Sequence, residues 1–156
     1  MTFLRFLMML SLIVWLGGII FFVMLAPTLF SVLPTRHLAG SVVAPVLTKL
    51  HWLGIFSGLV FVVSSMFYLR STTGAAHPLA IRHVLIYFML TLTSISQFGM
   101  SPRMAALRAS MGEIEFVAAS SPECLQFNAL HAWSTRLEGG VLLLGLGVVY
   151  LTARTL

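Results

Sequence analysis

Four long apolar runs alternate with short polar segments along the chain, and almost every charge lies between the runs or at their ends. The first run extends from about Phe3 to Leu25, the second from Val46 to Leu69 and the third from Val84 to Met100. A helix needs about 20 predominantly apolar residues to cross the hydrocarbon core of a bilayer. The fourth run, Gly139 to Thr152, is shorter, so a full span there starts near Trp133 and draws Arg136 and Glu138 to the membrane boundary. In lipid every backbone N–H and C=O must be paired within the protein. The expected fold is therefore all-α, an integral membrane bundle of four transmembrane helices forming a single membrane domain.

The punctuation between the runs agrees with this reading. Pro27 and Pro34 are expected to end the first helix, and Thr35 is a candidate N-cap. The segment Thr35 to Lys49, with Pro45, reads as an interfacial turn leading into the second helix. Ser71 to His83 is short and turn-rich, which makes the second and third spans antiparallel neighbours. Met111 to Glu123 is the longest linker and holds Glu113, Glu115 and Glu123; Ser121-Pro122 marks the start of the last helix, with serine as cap and proline at the first helical position. The third and fourth helices are expected to extend beyond the bilayer on this side.

Composition narrows the class further. Of the 156 residues 59% are hydrophobic and 8% charged, against about 25% charged in soluble domains. No soluble fold of this size could hide that much apolar surface. The net charge of +5 reads as contact with lipid headgroups, not nucleic acid. Arg5, Arg70, Arg82 and Arg154 fall on the side of the termini, and Arg36, Lys49, Arg103, Arg108 and Arg136 on the other. Acidic residues count little in setting orientation, so the expectation is a bacterial inner-membrane protein with cytoplasmic termini. The first run is too long, and too close to Pro27, for a cleaved signal peptide. Cys124 is the one cysteine, so no internal disulfide can form.

With antiparallel spans, the end of the first and third and the start of the second and fourth share one side of the membrane. His51, Gln97, Arg103, His131, Arg136 and Glu138 all fall near that level. His131, Ser134 and Glu138 share one stripe of the last helix through spacings of three and four. Glu138 is the sharpest residue, because a carboxylate within a span must pair, accept hydrogen bonds or take up a proton; Arg103 is its expected partner. His51 and His131 begin parallel spans, an arrangement that would suit ligation of haem or a metal. Met100, Met104 and Met111 could offer soft ligands to copper. Ordinary packing is the competing explanation in each case. Gly17, Gly18, Gly54 and Gly58 are read as sites of close helix packing. No nucleotide loop, catalytic triad or zinc-hydrolase helix is present, and no catalytic residue is assigned.

The order of landmarks resembles a known family. Trp15-x-Gly17-Gly18 with Phe21-Phe22, Ala26-Pro27-x-Leu29-Phe30, Ala39-Gly40, Pro102-x-Met104-x-x-Leu107-Arg108 and Phe127-x-x-Leu130-His131-x-x-Ser134 resemble the transmembrane protein 205-like family, or domain of unknown function 4149. The resemblance implies a four-span membrane protein and no established reaction. A more distant similarity runs to the copper-resistance D and membrane protoporphyrinogen-oxidase families. Thr28-Leu29-Phe30-Ser31-Val32 after Pro27 lacks the arginine and histidine of the oxidase pattern, so haem binding is not carried over.

These readings point to a non-enzymatic membrane protein acting through helix packing, self-association or a membrane partner, with no cofactor required. Two alternatives are a haem- or copper-binding redox protein using His51 and His131, and a proton or small-solute pathway involving Glu138.

Overall fold

The apolar runs form four long helical rods in the computed structural model, which describes residues 1–113 and 116–154. Helix α1 is Thr2–Val32 and α2 is Arg36–Thr73. The third rod comprises α3 (Ile81–Ser94), a π-helical turn (Ile95–Met100) and α4 (Ser101–Met111), and the fourth is α5 (Pro122–Ala153). All four rods are long and apolar enough to cross a membrane. Among the described residues there is no strand. The chain is thus an all-α, multi-pass membrane protein. Glu115 of the long linker lies outside the described residues.

Each rod packs on its neighbours: α1 on α2, α2 on α3, α3 on α5, and α5 back on α1. This is an up-down-up-down ring, with α2 and α5 across a diagonal. One stripe of α1 (Met8, Leu12, Trp15, Leu16 and Ile19) is buried, while Phe3, Phe6, Ile13, Phe21 and Met24 are exposed. A helix apolar on every side is what a bilayer requires, since its outer face meets hydrocarbon.

The rods run further than the apolar segments. Pro34 lies in the turn after α1, but Pro27 sits inside the helix, and Pro45 sits inside α2. Each removes one backbone hydrogen bond, yet leaving the helix in lipid would expose several unpaired groups, so the helix persists. Residues 36–49 are consequently helical, not an interfacial turn. Thr35 caps α2, its hydroxyl accepting from the Leu38 N–H, and Ser121 caps α5 by accepting from the Cys124 N–H.

Where α1 meets α2, Trp15 packs against two glycines. A Cβ placed on Gly54 would collide with the indole Nε1, and one on Gly58 would lie 2.8 Å from Cζ3 of the same ring and 2.7 Å from Leu90 Cδ2. The two glycines therefore form a flat seat on α2 for one aromatic side chain of α1. Gly18 packs against Leu50, and Gly145 of α5 lets Leu16 of α1 approach the backbone. Gly17 faces open space, so of the four packing glycines expected it alone takes no part in the bundle.

Substitution should separate these positions. Gly54→Ala forces the indole out of its seat and should cost about 1–3 kcal/mol, the usual penalty of overpacking. Gly17→Ala should stay within about 0.5 kcal/mol of the native chain. Reversible unfolding in detergent micelles measures both; equal effects would contradict the assignment of the seat.

Candidate functional site

The π-helical turn re-aims the side chains that build the site. Pro102 has no N–H to offer the preceding turn, and its ring cannot sit against the carbonyl four residues back. The helix widens just upstream: the Ser101 N–H donates to Ser96 O, five residues back, and the Ser101 hydroxyl donates to the same carbonyl at 3.0 Å. Such single-turn bulges recur at functional sites because they displace one side chain from the regular helical register. Here the displaced segment carries Ser96 and Gln97.

Three rods meet at His51. The imidazole is 1% exposed. Its Nδ1 lies 2.9 Å from Gln97 Oε1 on the π-helical turn, and its Nε2 lies 2.7 Å from Glu138 Oε1 on α5. His51 and Glu138 thus connect α2 to α5 across the diagonal of the bundle, and Gln97 joins them from the third rod. Just before these residues in sequence, Ser96 and Ser134, both buried, place their hydroxyl oxygens 3.3 Å apart. One turn along α2, Gly54 supports the Trp15 indole. The polar site and the Trp15 seat are contiguous.

This arrangement is complete in more than one protonation state. A doubly protonated His51 donates from Nδ1 to the Gln97 oxygen and from Nε2 to the Glu138 carboxylate. A neutral imidazole keeps the Nε2 donation, while a reversed Gln97 amide donates its NH2 to the bare Nδ1. A protonated Glu138 instead donates to Nε2 while Nδ1–H faces the Gln97 oxygen. Of these arrangements only the second needs the reversed amide, and each leaves both ring nitrogens partnered.

Other residues singled out from the sequence are placed differently. Among the described residues the ion pair of Glu138 is made with His51, not with the expected partner Arg103, which is exposed on α4. Arg136 is exposed and lies over the Trp133 ring, 5.2 Å from its centroid. His131 is exposed two turns before Glu138. A metal or haem at His51 would have to displace one of its two hydrogen bonds. Among the described residues no cluster of three or more metal-ligating side chains occurs.

Beyond the site, on the side away from the termini, α4 and the start of α5 are little buried. Helix α4 has no buried residue, and the first buried residue of α5 is Ser134. Arg108 ties helices together across this region: Nη1 donates to Gly40 O at 2.6 Å and the guanidinium stands 5.5 Å from the Phe127 ring centroid. His51 and Glu138 therefore lie next to this exposed region.

Residues 10–113 match the family described as domain of unknown function DUF4149. The chain belongs to this family. No curated protein and no solved structure gave a match. The matched part of this DUF4149 chain includes Trp15, His51, Gly54, Gly58 and Gln97, and stops before α5 with Ser134 and Glu138.

Two contacts escaped the sequence reading. His83, fully buried at the start of α3, donates from Nδ1 to the His77 carbonyl at 2.9 Å, and its Nε2 lies 2.8 Å from the Ser65 hydroxyl. Arg5 reaches the Tyr68 hydroxyl on α2. Ser57, Ser64, Ser65 and Tyr68 are buried along α2 beyond His51.

Truncation at the site has a graded expectation. Glu138→Ala leaves the His51 Nε2 buried without a partner and should cost about 3 kcal/mol. Glu138→Gln retains an acceptor and should cost about 1 kcal/mol or less. Unfolding free energies in detergent would measure the difference; equal, near-zero costs would show that the contact does not hold the rods together.

Proposed function

We propose that the protein handles protons within the membrane, moving them or coupling them to the passage of a small solute, with the His51–Glu138 pair as the exchange point. The observation that carries this reading is the buried imidazole held between a carboxylate and an amide from three different rods. Ionisable groups within spans are costly, and they occur where protons or charged solutes are handled. The Gln97 amide supplies the adaptable partner that lets the proton change place without leaving a buried group unpaired.

The surroundings supply two routes to the pair. On one side α4 and the start of α5 are largely exposed, and this face gives the pair its access to water. Towards the other end, Ser57, Ser64 and Ser65 are buried along α2, with Thr93 on α3, before His83 is reached. The α2 hydroxyls recur about every two turns, roughly 10 Å, so bridging water supplies the intervening links. Trp15, Phe61 and Met89 fill the same level of the core completely, which favours transient hydration over a standing pore.

Association through glycine faces receives less support, because Gly18, Gly54 and Gly58 are already covered by side chains of the same chain. In this reading the likeness to the transmembrane protein 205-like proteins concerns the helical frame. The termini face the cytoplasm of a bacterial inner membrane.

Proteoliposomes carrying an imposed pH gradient and a trapped pH-sensitive dye test the proposal. The native chain should speed decay of the gradient over empty liposomes, and Glu138→Gln should reduce that excess rate at least tenfold. A rate unchanged by Glu138→Gln would contradict a proton role for the pair.

A further inference from the structure

One threonine of the third rod departs from the pattern that the other helical threonines keep. Thr28, Thr48, Thr72, Thr73, Thr91 and Thr135 each donate the hydroxyl to the carbonyl four residues back. That bond is the ordinary way for a helix to satisfy a hydroxyl in apolar surroundings. Thr93 on α3 is 2% exposed, and its Oγ1 has no hydrogen-bond partner among the described residues. A buried hydroxyl left unpaired is costly, and hydrocarbon offers it nothing. The Met89 carbonyl, four residues back, is the partner that its side chain does not take.

Packing fixes what Thr93 stands opposite. On the same stripe of the third rod, Ser96 lies one turn beyond it and Met89 one turn before it, both wholly buried. The Ser96 hydroxyl is 3.3 Å from that of Ser134 on α5, and Met89 Cε packs over Gly145, 3.1 Å from where a Cβ would stand. Ser134 and Gly145 bracket Glu138 and Val141 on α5, so Thr93 stands at the level of Glu138. Glu138 Oε1 is engaged by His51 Nε2 at 2.7 Å. Its other oxygen, Oε2, receives no hydrogen bond from the described residues. An unpaired hydroxyl and an unpaired carboxylate oxygen therefore share one level on two rods that pack together.

The pair specifies what completes it. The hydroxyl needs an acceptor and the carboxylate needs a donor. An anion would be repelled by the carboxylate, and a cation would leave the hydroxyl proton without an acceptor. Water alone supplies both functions at this size.

We propose that Thr93 and Glu138 hold a resident water inside the bundle, which accepts from the Thr93 hydroxyl and donates to Glu138 Oε2. Thr93 is then a positioning residue for the exchange point. The role of this water rests on the proton reading above, and its presence does not. In that reading it is the first link from Glu138 towards the termini: it takes a proton from the carboxyl at Oε2 and releases one of its own to the next water.

Water-edited solid-state NMR of the threonine-labelled chain in lipid tests the site, because it follows magnetisation from water protons to nearby side-chain carbons. Thr91, two residues away, is exposed on the outer face and bonded to the Tyr87 carbonyl, and serves as internal reference. The Thr93 Cβ signal should build up several-fold faster than that of Thr91. Equally slow build-up at the two residues would overturn the proposal. In the proteoliposome assay Thr93→Val, which removes the hydroxyl, should lower the excess gradient decay several-fold, and Thr93→Ser, which keeps it, should stay near the native rate. Decay reduced by Glu138→Gln and untouched by Thr93→Val would overturn the role of the water. Rapid build-up at Thr93 with decay indifferent to both variants would uphold the water site and contradict the proton reading instead.

Discussion

A polar side chain at the centre of a membrane bundle must find its hydrogen bonds inside the protein, and His51 imposes that requirement on three rods at once. Its two ring nitrogens demand partners in opposite directions. Glu138 and Gln97 can supply them only if α5 and the third rod are held in one rotational register relative to α2. The π-helical turn before Pro102 provides the adjustment that brings Gln97 to Nδ1. The Trp15 seat on Gly54 and Gly58 sets the remaining neighbour, α1, against the same face of α2. Apolar packing alone could not choose among these registers, because lipid tails compete on equal terms with leucine and valine.

The two halves of the molecule divide along this level. Towards the termini the rods are closely packed, with Trp15, Phe61, Ile86 and Met89 wholly buried and the polar groups paired in small local sets such as His83 with Ser65. Away from the termini α4 and the start of α5 bury almost nothing and are tied mainly by Arg108. The His51–Glu138 pair sits at the boundary between these two halves, within reach of both routes of the proposed proton reading.

Much of the fold was legible in the chain because hydropathy over about 20 residues is a strong signal and lipid permits few alternatives. Thr35 and Ser121 marked helix starts through ordinary cap chemistry. The prolines misled, since Pro27 and Pro45 break helices in water but are tolerated where leaving the helix would cost more. The site was legible in its members and not in its pairings. His51, Gln97 and Glu138 were recognisable as polar groups at one depth, but charge alone made Arg103 the natural partner for Glu138. The rotation of each rod, which turns Arg103 outward and Glu138 towards His51, depends on the π-helical turn and on side-chain fit, neither of which hydropathy encodes. The roles of Gly54 and Gly58 also depended on which neighbour they met, a fact of tertiary packing.

The most direct test of the account is nitrogen NMR of the His51 ring in selectively labelled protein in lipid, compared between the native chain and Glu138→Gln. The account predicts an ordered imidazole with both nitrogens hydrogen-bonded in the native chain, and an Nε2 shift that changes in the variant while Nδ1 keeps its partner. A ring nitrogen free of hydrogen bonds in the native chain, or an Nε2 shift identical in both proteins, would contradict it.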